Sequence, residues 1–151
     1  MKIGRVIVAL KPVIIDDIGV EALKFIDDNF AMQGYQGRTF IPWKIQLKPN
    51  KPRPHKILIL DVILRGSFVK TDGAQGTVIS TDIPYARAHN EGDKGQHYAT
   101  SRMGTFGKTF TVNRNMPQRQ FMPITGNDSP VLTARCEEVI IRRITDAIAA
   151  T

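Results

Sequence analysis

Three prolines fall within six residues of the chain, at Pro49, Pro52 and Pro54. Because proline fixes φ and lacks an N–H donor, no regular helix can pass through this stretch. Glycines and a further proline precede it, so residues 33–55 are predicted to form a long, basic, proline-rich loop. The chain of 151 residues has the length of a single domain, 1–151, because two independent cores would each be too small.

Helical periodicity is found on both sides of this segment. The first helix is expected to begin near Asp16 and Asp17, whose carboxylates can cap free backbone N–H groups, and to end before Gly34. The last helix is expected to begin at Ser129 and Pro130, a hydroxyl cap followed by a proline whose missing N–H costs nothing there. Apolar residues recur at spacings of three and four in both segments, which is typical of helices with one buried face.

Between the helices the sequence favours strands. Residues 56–64 are nearly all apolar, which favours a strand and leaves a buried helix as the alternative. Residues 67–71 and 77–81 are short β-type runs separated by a glycine-containing turn. Residues 110–113 offer another strand, whereas residues 91–109 are predicted to form a mobile loop because of their glycines. The order of elements predicts an α+β fold with an N-terminal helix, a central antiparallel β-sheet and a C-terminal helix packed on the sheet.

Positive charge is concentrated in one stretch. The chain carries 21 Lys and Arg against 14 Asp and Glu, and residues 32–72 hold most of the excess. A concentrated positive field attracts polyanions or acidic protein surfaces. A nucleic-acid-binding module is therefore one alternative, although Trp43 is the only Phe, Tyr or Trp in the most basic part, residues 43–56. A plain solvated loop is another alternative. The predicted basic surface consists of Lys44, Lys48, Lys51, Arg53 and Lys56.

Most enzyme and membrane patterns are missing from the sequence. Its apolar runs fall far short of the roughly 20 residues that a membrane span needs. A lone cysteine, Cys136, excludes an internal disulfide and a multi-cysteine metal cage. No phosphate loop or dinucleotide fingerprint occurs, so no cofactor is expected. His89, Glu91 and His97 could together hold zinc in a hydrolase, but glycines separate them, and surface or hydrogen-bonded histidines are the preferred interpretation.

Two segments carry more specific information, residues 83–92 and residues 116–122. The first contains a Tyr-Ala-x-x-His-x-x-Gly pattern and the second a Pro-x-Arg-x-Phe pattern immediately upstream of the last helix. Their defining residues are Tyr85, His89 and Gly92, then Pro117, Arg119 and Phe121. In this order they resemble the phage virion morphogenesis family, also called tail completion proteins. The resemblance covers roughly residues 18–149.

The resemblance implies a structural role and no catalysis. Members of this family act late in phage assembly, at the tail or at the head–tail joint, and related folds assemble as rings. The resemblance therefore implies a homo-oligomer or a subunit that docks on a ring, with other phage head and tail proteins as partners. It also implies host cytoplasm as the place of assembly, the virion as the destination and no membrane. The basic stretch would face either DNA that passes through the ring or an acidic surface of a partner.

The signature residues also allow physical expectations. Tyr85 and His89 would share one face of a helical turn, and Gly92 would permit a positive φ after it. Phe121 would anchor its segment in the core, while Arg119 would point elsewhere, with donors suited to a carboxylate or to several backbone carbonyls. All six signature residues are predicted to be assembly contacts; the alternative is that they only stabilise the fold.

Overall fold

The computed structural model describes residues 2–44, 63–100 and 109–150. Three helices and three strand pairs alternate along the described chain, which confirms the α+β class. The elements in chain order are α1 (Lys2–Met32), β1 (Gly34–Gln36), β2 (Phe40–Pro42), β3 (Val69–Gly73), β4 (Gly76–Ser80), α2 (Ala86–Glu91), β5 (Asp93–Thr100), β6 (Thr109–Met116) and α3 (Pro130–Ala149).

Helix α1 is twice as long as the sequence indicates. It ends at Met32, before Gly34 as predicted, but it begins at Lys2 and runs through Pro12. The expected start near Asp16 is therefore wrong. A single proline removes one hydrogen bond, here to the carbonyl of Val8, and it bends a helix more readily than it ends one when both flanking turns are helical.

The described strands form three separate antiparallel pairs instead of one central sheet. The pair β3–β4 is the predicted hairpin, with Val69 opposite Ser80. The pair β1–β2 lies within the predicted loop 33–55, so that expectation is wrong for residues 34–36 and 40–42. Gly34 makes this short hairpin possible, because a Cβ at this position would overlap the ring of Phe40.

Strands β5 and β6 occupy residues 93–100 and 109 of the predicted loop 91–109, so the expectation of a loop is wrong for these residues. Asp93 pairs with Met116 and Thr100 with Thr109, so the strand predicted at 110–113 is confirmed and is longer than expected. Residues 101–108 lie outside the described residues. The strand predicted at 56–64 also lies outside them, except for its last two residues, which belong to a turn.

Helix α3 packs mainly against α1, not on a sheet as predicted. Arg143 contacts Asp17 at 2.5 Å and Arg135 contacts Asp28 at 2.7 Å, so the two helices run antiparallel. The predicted cap at Ser129 is confirmed, because its hydroxyl accepts a hydrogen bond from the N–H of Leu132. No helix in the described part of the chain is long and apolar enough to cross a membrane.

The core lies where α1 meets the segments around it. Aromatic rings dominate it, and Phe30 contacts the rings of Trp43, Phe68 and Phe121 with centroids 5.2–6.2 Å apart. Such tilted and edge-on ring contacts add to the free energy gained from burial alone. The buried members of this cluster are Phe25, Ile26, Phe30, Tyr35, Trp43, Leu64, Ala86 and Phe121.

Candidate assembly site

The two sequence signatures lie directly against each other. The N–H of Arg119 donates to the carbonyl of His89 at 2.7 Å, and the side-chain amide of Gln118 donates to the carbonyl of Asn90 at 3.2 Å. Residues 117–122 thus run beside α2 although they belong to no helix or strand. We call this junction of α2 and Gly92 with residues 117–122 the signature contact.

Asn90 is the central side chain of the signature contact. Its Oδ1 accepts hydrogen bonds from the backbone N–H groups of both Phe121 and Met122, each at 2.9 Å. The residue is buried, on the same side of α2 as Ala86, which lies one turn earlier. One amide oxygen therefore replaces the two strand partners that residues 121 and 122 lack. The sequence analysis did not identify Asn90. The only feature of the sequence that could indicate its burial is its position four residues after Ala86, on the same face of a short helix.

Gly92 allows the two segments to approach closely. Its φ is +79°, which confirms the expected positive φ, and its ψ of 159° puts it in a region that is nearly exclusive to glycine. A Cβ at this position would lie 3.2 Å from the backbone nitrogen of Gln118. The glycine thus serves both the backbone turn after α2 and the packing of residues 117–122.

Phe121 anchors the segment in the core, as expected. Its ring packs against Phe30 and Phe68 with centroids 5.3 and 5.4 Å away. Its carbonyl accepts a hydrogen bond from the Nδ2 of Asn29 at 3.1 Å, and the Oδ1 of Asn29 accepts from the N–H of Gln36. Asn29 is fully buried, so its amide links α1, β1 and the signature contact where water cannot compete.

Arg119 is not free to bind a partner. The residue is only 6% exposed, and its Nε donates to the carbonyl of Lys44 at 3.3 Å. Burial lowers the pKa of its guanidinium from the ordinary value. The expectation that Arg119 points outward is therefore wrong. The physical reason is tertiary: Trp43 donates from Nε1 to the carbonyl of Gln120 at 2.8 Å, which brings the chain at Lys44 over Arg119.

Tyr85 and His89 share one face of α2, as predicted, with ring centroids 5.9 Å apart and nearly perpendicular planes. Tyr85 is 43% exposed, so it is the signature side chain most accessible to another molecule. The Nδ1 of His89 is buried and has no hydrogen-bond partner among the described residues. Burial, and then the charge of Arg119, lower the pKa of His89 from its ordinary value.

A shallow depression adjoins the signature contact. It has a volume of about 60 Å³ and is lined in part by Tyr35, Trp43, Gln118 and Gln120. Ligand pockets for organic molecules usually measure about 300–1,000 Å³, so this space suits a few water molecules. Two of its lining residues are joined by a hydrogen bond, because Asn127 donates from Nδ2 to the Oε1 of Gln120 at 2.6 Å.

The described residues contain no group of three His, Cys, Asp or Glu side chains that could hold a metal ion. Of the three residues considered for a zinc site, Glu91 forms an ion pair with Arg87 at 3.0 Å, and His89 faces Tyr85. The side chain of His97 lies outside the described part of the structure.

The predicted basic surface falls largely beyond the described residues. Lys44 is described and is exposed. The other four cations lie outside the described residues: Lys48, Lys51, Arg53 and Lys56. Pro117 is partly buried at the start of the signature contact.

Comparisons with models of protein families, with curated proteins and with solved structures found no match to this chain. The family resemblance therefore depends on the two sequence signatures.

Proposed function

We propose that this chain is a structural protein of bacteriophage assembly, without enzymatic activity, that acts at the tail or at the head–tail joint. In this role it assembles with its own copies or docks on a ring of other phage head and tail proteins. It works in the host cytoplasm during assembly and becomes part of the virion.

One observation carries the proposal. The two segments that resemble the family pattern lie apart in the sequence, yet they meet in one contact. The N–H of Arg119 donates to the carbonyl of His89, and the side chain of Asn90 bonds the backbone of residues 121 and 122. Their meeting supports the interpretation of the two signatures as parts of one ordered family pattern.

The contact also suggests which signature residues stabilise the fold and which could bind another subunit. Arg119 and Phe121 are buried and hold the segments together. Tyr85 is exposed, and tyrosine combines apolar area with a hydroxyl at low conformational cost, which suits interfaces. We therefore assign the direct assembly contact to Tyr85 and a positioning role to the buried signature residues.

The test is to delete the gene from the phage or prophage that encodes it and to examine lysates by electron microscopy. We expect separate filled heads and tails and a large loss of infectious particles, restored by a plasmid copy. Restoration by a Tyr85→Ser copy should be weaker than by a Val78→Ser copy, which alters an even more exposed apolar residue elsewhere. Normal particles without the gene would refute the proposal.

The concentration of cations in residues 32–72 favours a second candidate, a nucleic-acid-binding module. Such a module should bind a DNA duplex with an affinity that falls steeply with salt, because bound cations release counterions from the phosphates. Fluorescence anisotropy with a labelled duplex measures this directly. Absence of binding at about 50 mM salt would remove this candidate and leave the assembly role intact.

A further inference from the structure

Strand β4 of the hairpin β3–β4 has an unprotected edge. Natural proteins usually blunt the edges of their sheets with charged residues or proline, because an open edge pairs readily with another strand. Strand β3 carries Lys70 and Asp72, which form an ion pair with each other. Strand β4 (Gly76–Ser80) contains no charged residue and no proline. Its sequence therefore lacks the features that keep a strand edge from pairing.

The register of the hairpin determines which backbone groups of β4 point away from β3. Gly73 and Gly76 flank the two-residue turn and lie opposite each other, so they share the hydrogen bond that closes it. Bonded and non-bonded pairs alternate in an antiparallel ladder. The backbone of Val78 thus bonds to β3, whereas the N–H and C=O groups of Thr77 and Ile79 point to the open edge. These groups have no hydrogen-bond partner among the described residues.

The outer face of the hairpin is uncharged. Its side chains are exposed, namely Val69 and Thr71 of β3 and Val78 and Ser80 of β4. The opposite face lies on α1, where Lys70 forms its second ion pair. A second hairpin can therefore extend the sheet at β4 without bringing like charges together on the outer face.

The edge of β4 is complementary to itself. In an antiparallel pairing centred on Val78, Thr77 of one copy lies opposite Ile79 of the other, and the same pair repeats across the two-fold axis. Each of these two pairs exchanges two backbone hydrogen bonds, so about four bonds join the strands. A pairing centred on Thr77 or on Ile79 leaves one outward-pointing residue beyond the end of the partner strand.

Opposite charges meet at both ends of this register. Asp82 follows β4 and is as far from Val78 along the chain as Ala74, so Asp82 lies opposite the turn of the other copy. Beside that turn, the Nζ of Lys11 donates to the Oε1 of Gln75 at 3.5 Å. Lys11 and Asp82 are both exposed. The register therefore brings a lysine of each copy near an aspartate of the other, which favours a second copy of the chain as the partner.

We propose that two copies of the chain pair through β4, so that their hairpins form one antiparallel sheet of four strands around a two-fold axis. This inference rests on the self-assembly in the proposed function and names a surface that performs it. The contact uses the same strand on both copies, so it closes on itself and makes a dimer. A larger assembly of the chain then contains an even number of copies.

A charge at the centre of the contact provides the test. Val78 of one copy lies against Val78 of the other, so Val78→Lys places two ammonium groups together, and like charges opposite each other destabilise a strand pair. Light scattering after size-exclusion chromatography should show that Val78→Lys halves the mass of the native assembly. Val69→Lys is the matched control and should leave the mass unchanged. Val69 is 58% exposed against 63% for Val78 and shares its face, but it lies one strand further from the axis.

Mixing two charge variants gives a sharper result. Val78→Glu should also halve the mass, whereas an equimolar mixture of Val78→Lys and Val78→Glu should regain the native mass, because opposite charges then face each other. Val78→Ser should keep the native mass, since it adds no charge and the contact bonds through the backbone. Far-ultraviolet circular dichroism verifies the folding of each variant. A mixture that stays at half the native mass would refute the pairing through β4.

These results are independent of the gene-deletion test. A native chain that is monomeric at all accessible concentrations refutes the β4 contact, and the deletion still decides the phage role. A native mass that Val78→Lys leaves unchanged assigns self-assembly to another surface and refutes the β4 contact as well. Normal particles after deletion refute the phage role, whereas a mass restored by the mixture still establishes the β4 contact.

Discussion

The side-chain oxygen of Asn90 accepts two backbone hydrogen bonds from a segment that has no strand partner. Residues 117–122 depend on such single side chains, since Asn29 and Trp43 bond the carbonyls of Phe121 and Gln120 in the same way. The backbone N–H and C=O groups of a buried irregular segment need individual hydrogen-bond partners. Loss of any one of these side chains would therefore leave buried backbone groups without a partner.

Asn90→Ala should strongly destabilise the protein. It leaves the buried N–H of Phe121 and the neighbouring N–H of Met122 without a partner. The loss should be about 2–4 kcal/mol, because each unsatisfied buried group costs about 1–3 kcal/mol. For a chain of this size the melting temperature should fall by roughly 5–15 °C. Asn115→Ala, at an exposed position of β6, is the control; equal melting temperatures for both variants would contradict the central role of Asn90.

Gly92→Ala tests the close approach of the two signature segments. The substitution combines backbone strain at φ +79° with a Cβ 3.2 Å from the nitrogen of Gln118. We expect a loss of about 1–3 kcal/mol in the free energy of unfolding. Gly126→Ala is a matched control, because φ there is +82° but a Cβ would meet nothing within 4 Å. Chemical denaturation should show a clearly larger loss for Gly92→Ala; the reverse order would contradict the packing argument.

At the scale of elements, some helices and strands could be predicted from local sequence, whereas others depend on contacts with distant residues. The hairpin β3–β4 and the start of α3 could be predicted because a glycine-containing turn and the Ser129–Pro130 cap act within a few residues. The strands β5 and β1 could not, because glycines and polar residues there have low intrinsic preference for strands and depend on their pairing partners. The burial of Arg119 could not be predicted either, since it depends on Lys44, 75 residues away.

Pro12 and Pro130 form a natural comparison within this set of elements. Pro12 lies inside α1, where it removes the hydrogen bond to the carbonyl of Val8, whereas Pro130 opens α3, where no such bond is missing. Pro12→Ala should therefore slow amide hydrogen exchange in residues 2–11 of α1, in line with the cost of about 3 kcal/mol for an interior proline. Pro130→Ala should leave exchange in α3 nearly unchanged or faster. Unchanged protection of residues 2–11 would contradict a local cost of Pro12.

At the scale of the whole molecule, the two helices and the turn before β3 are joined by partly exposed ion pairs. Arg143 hydrogen-bonds Asp17 and Arg65 hydrogen-bonds Asp27, and these bonds hold the pKa values of both carboxyls below the ordinary 3.8. His89 differs, because burial and the charge of Arg119 lower its pKa from 6.5 and so favour the neutral imidazole. Acid should thus weaken the fold in two separate windows of pH.

The free energy of unfolding falls with decreasing pH in both windows, but different groups cause the loss in each window. Below about pH 6.5 the unfolded chain takes up a proton on His89 that the folded chain resists, so stability falls until the folded pKa is reached. The carboxylate contribution is complete above about pH 3.8 and is lost as pH falls through the lowered pKa values of Asp17 and Asp27. Urea unfolding at successive pH values should therefore show two steps. His89→Gln should flatten only the upper step and Asp17→Asn should reduce only the lower one. The contrary result is a His89→Gln protein whose free energy of unfolding has an unchanged slope between pH 7 and 5. It would mean that His89 takes up its proton equally well in the folded and unfolded chain, and that its burial beside Tyr85 and Arg119 does not affect stability.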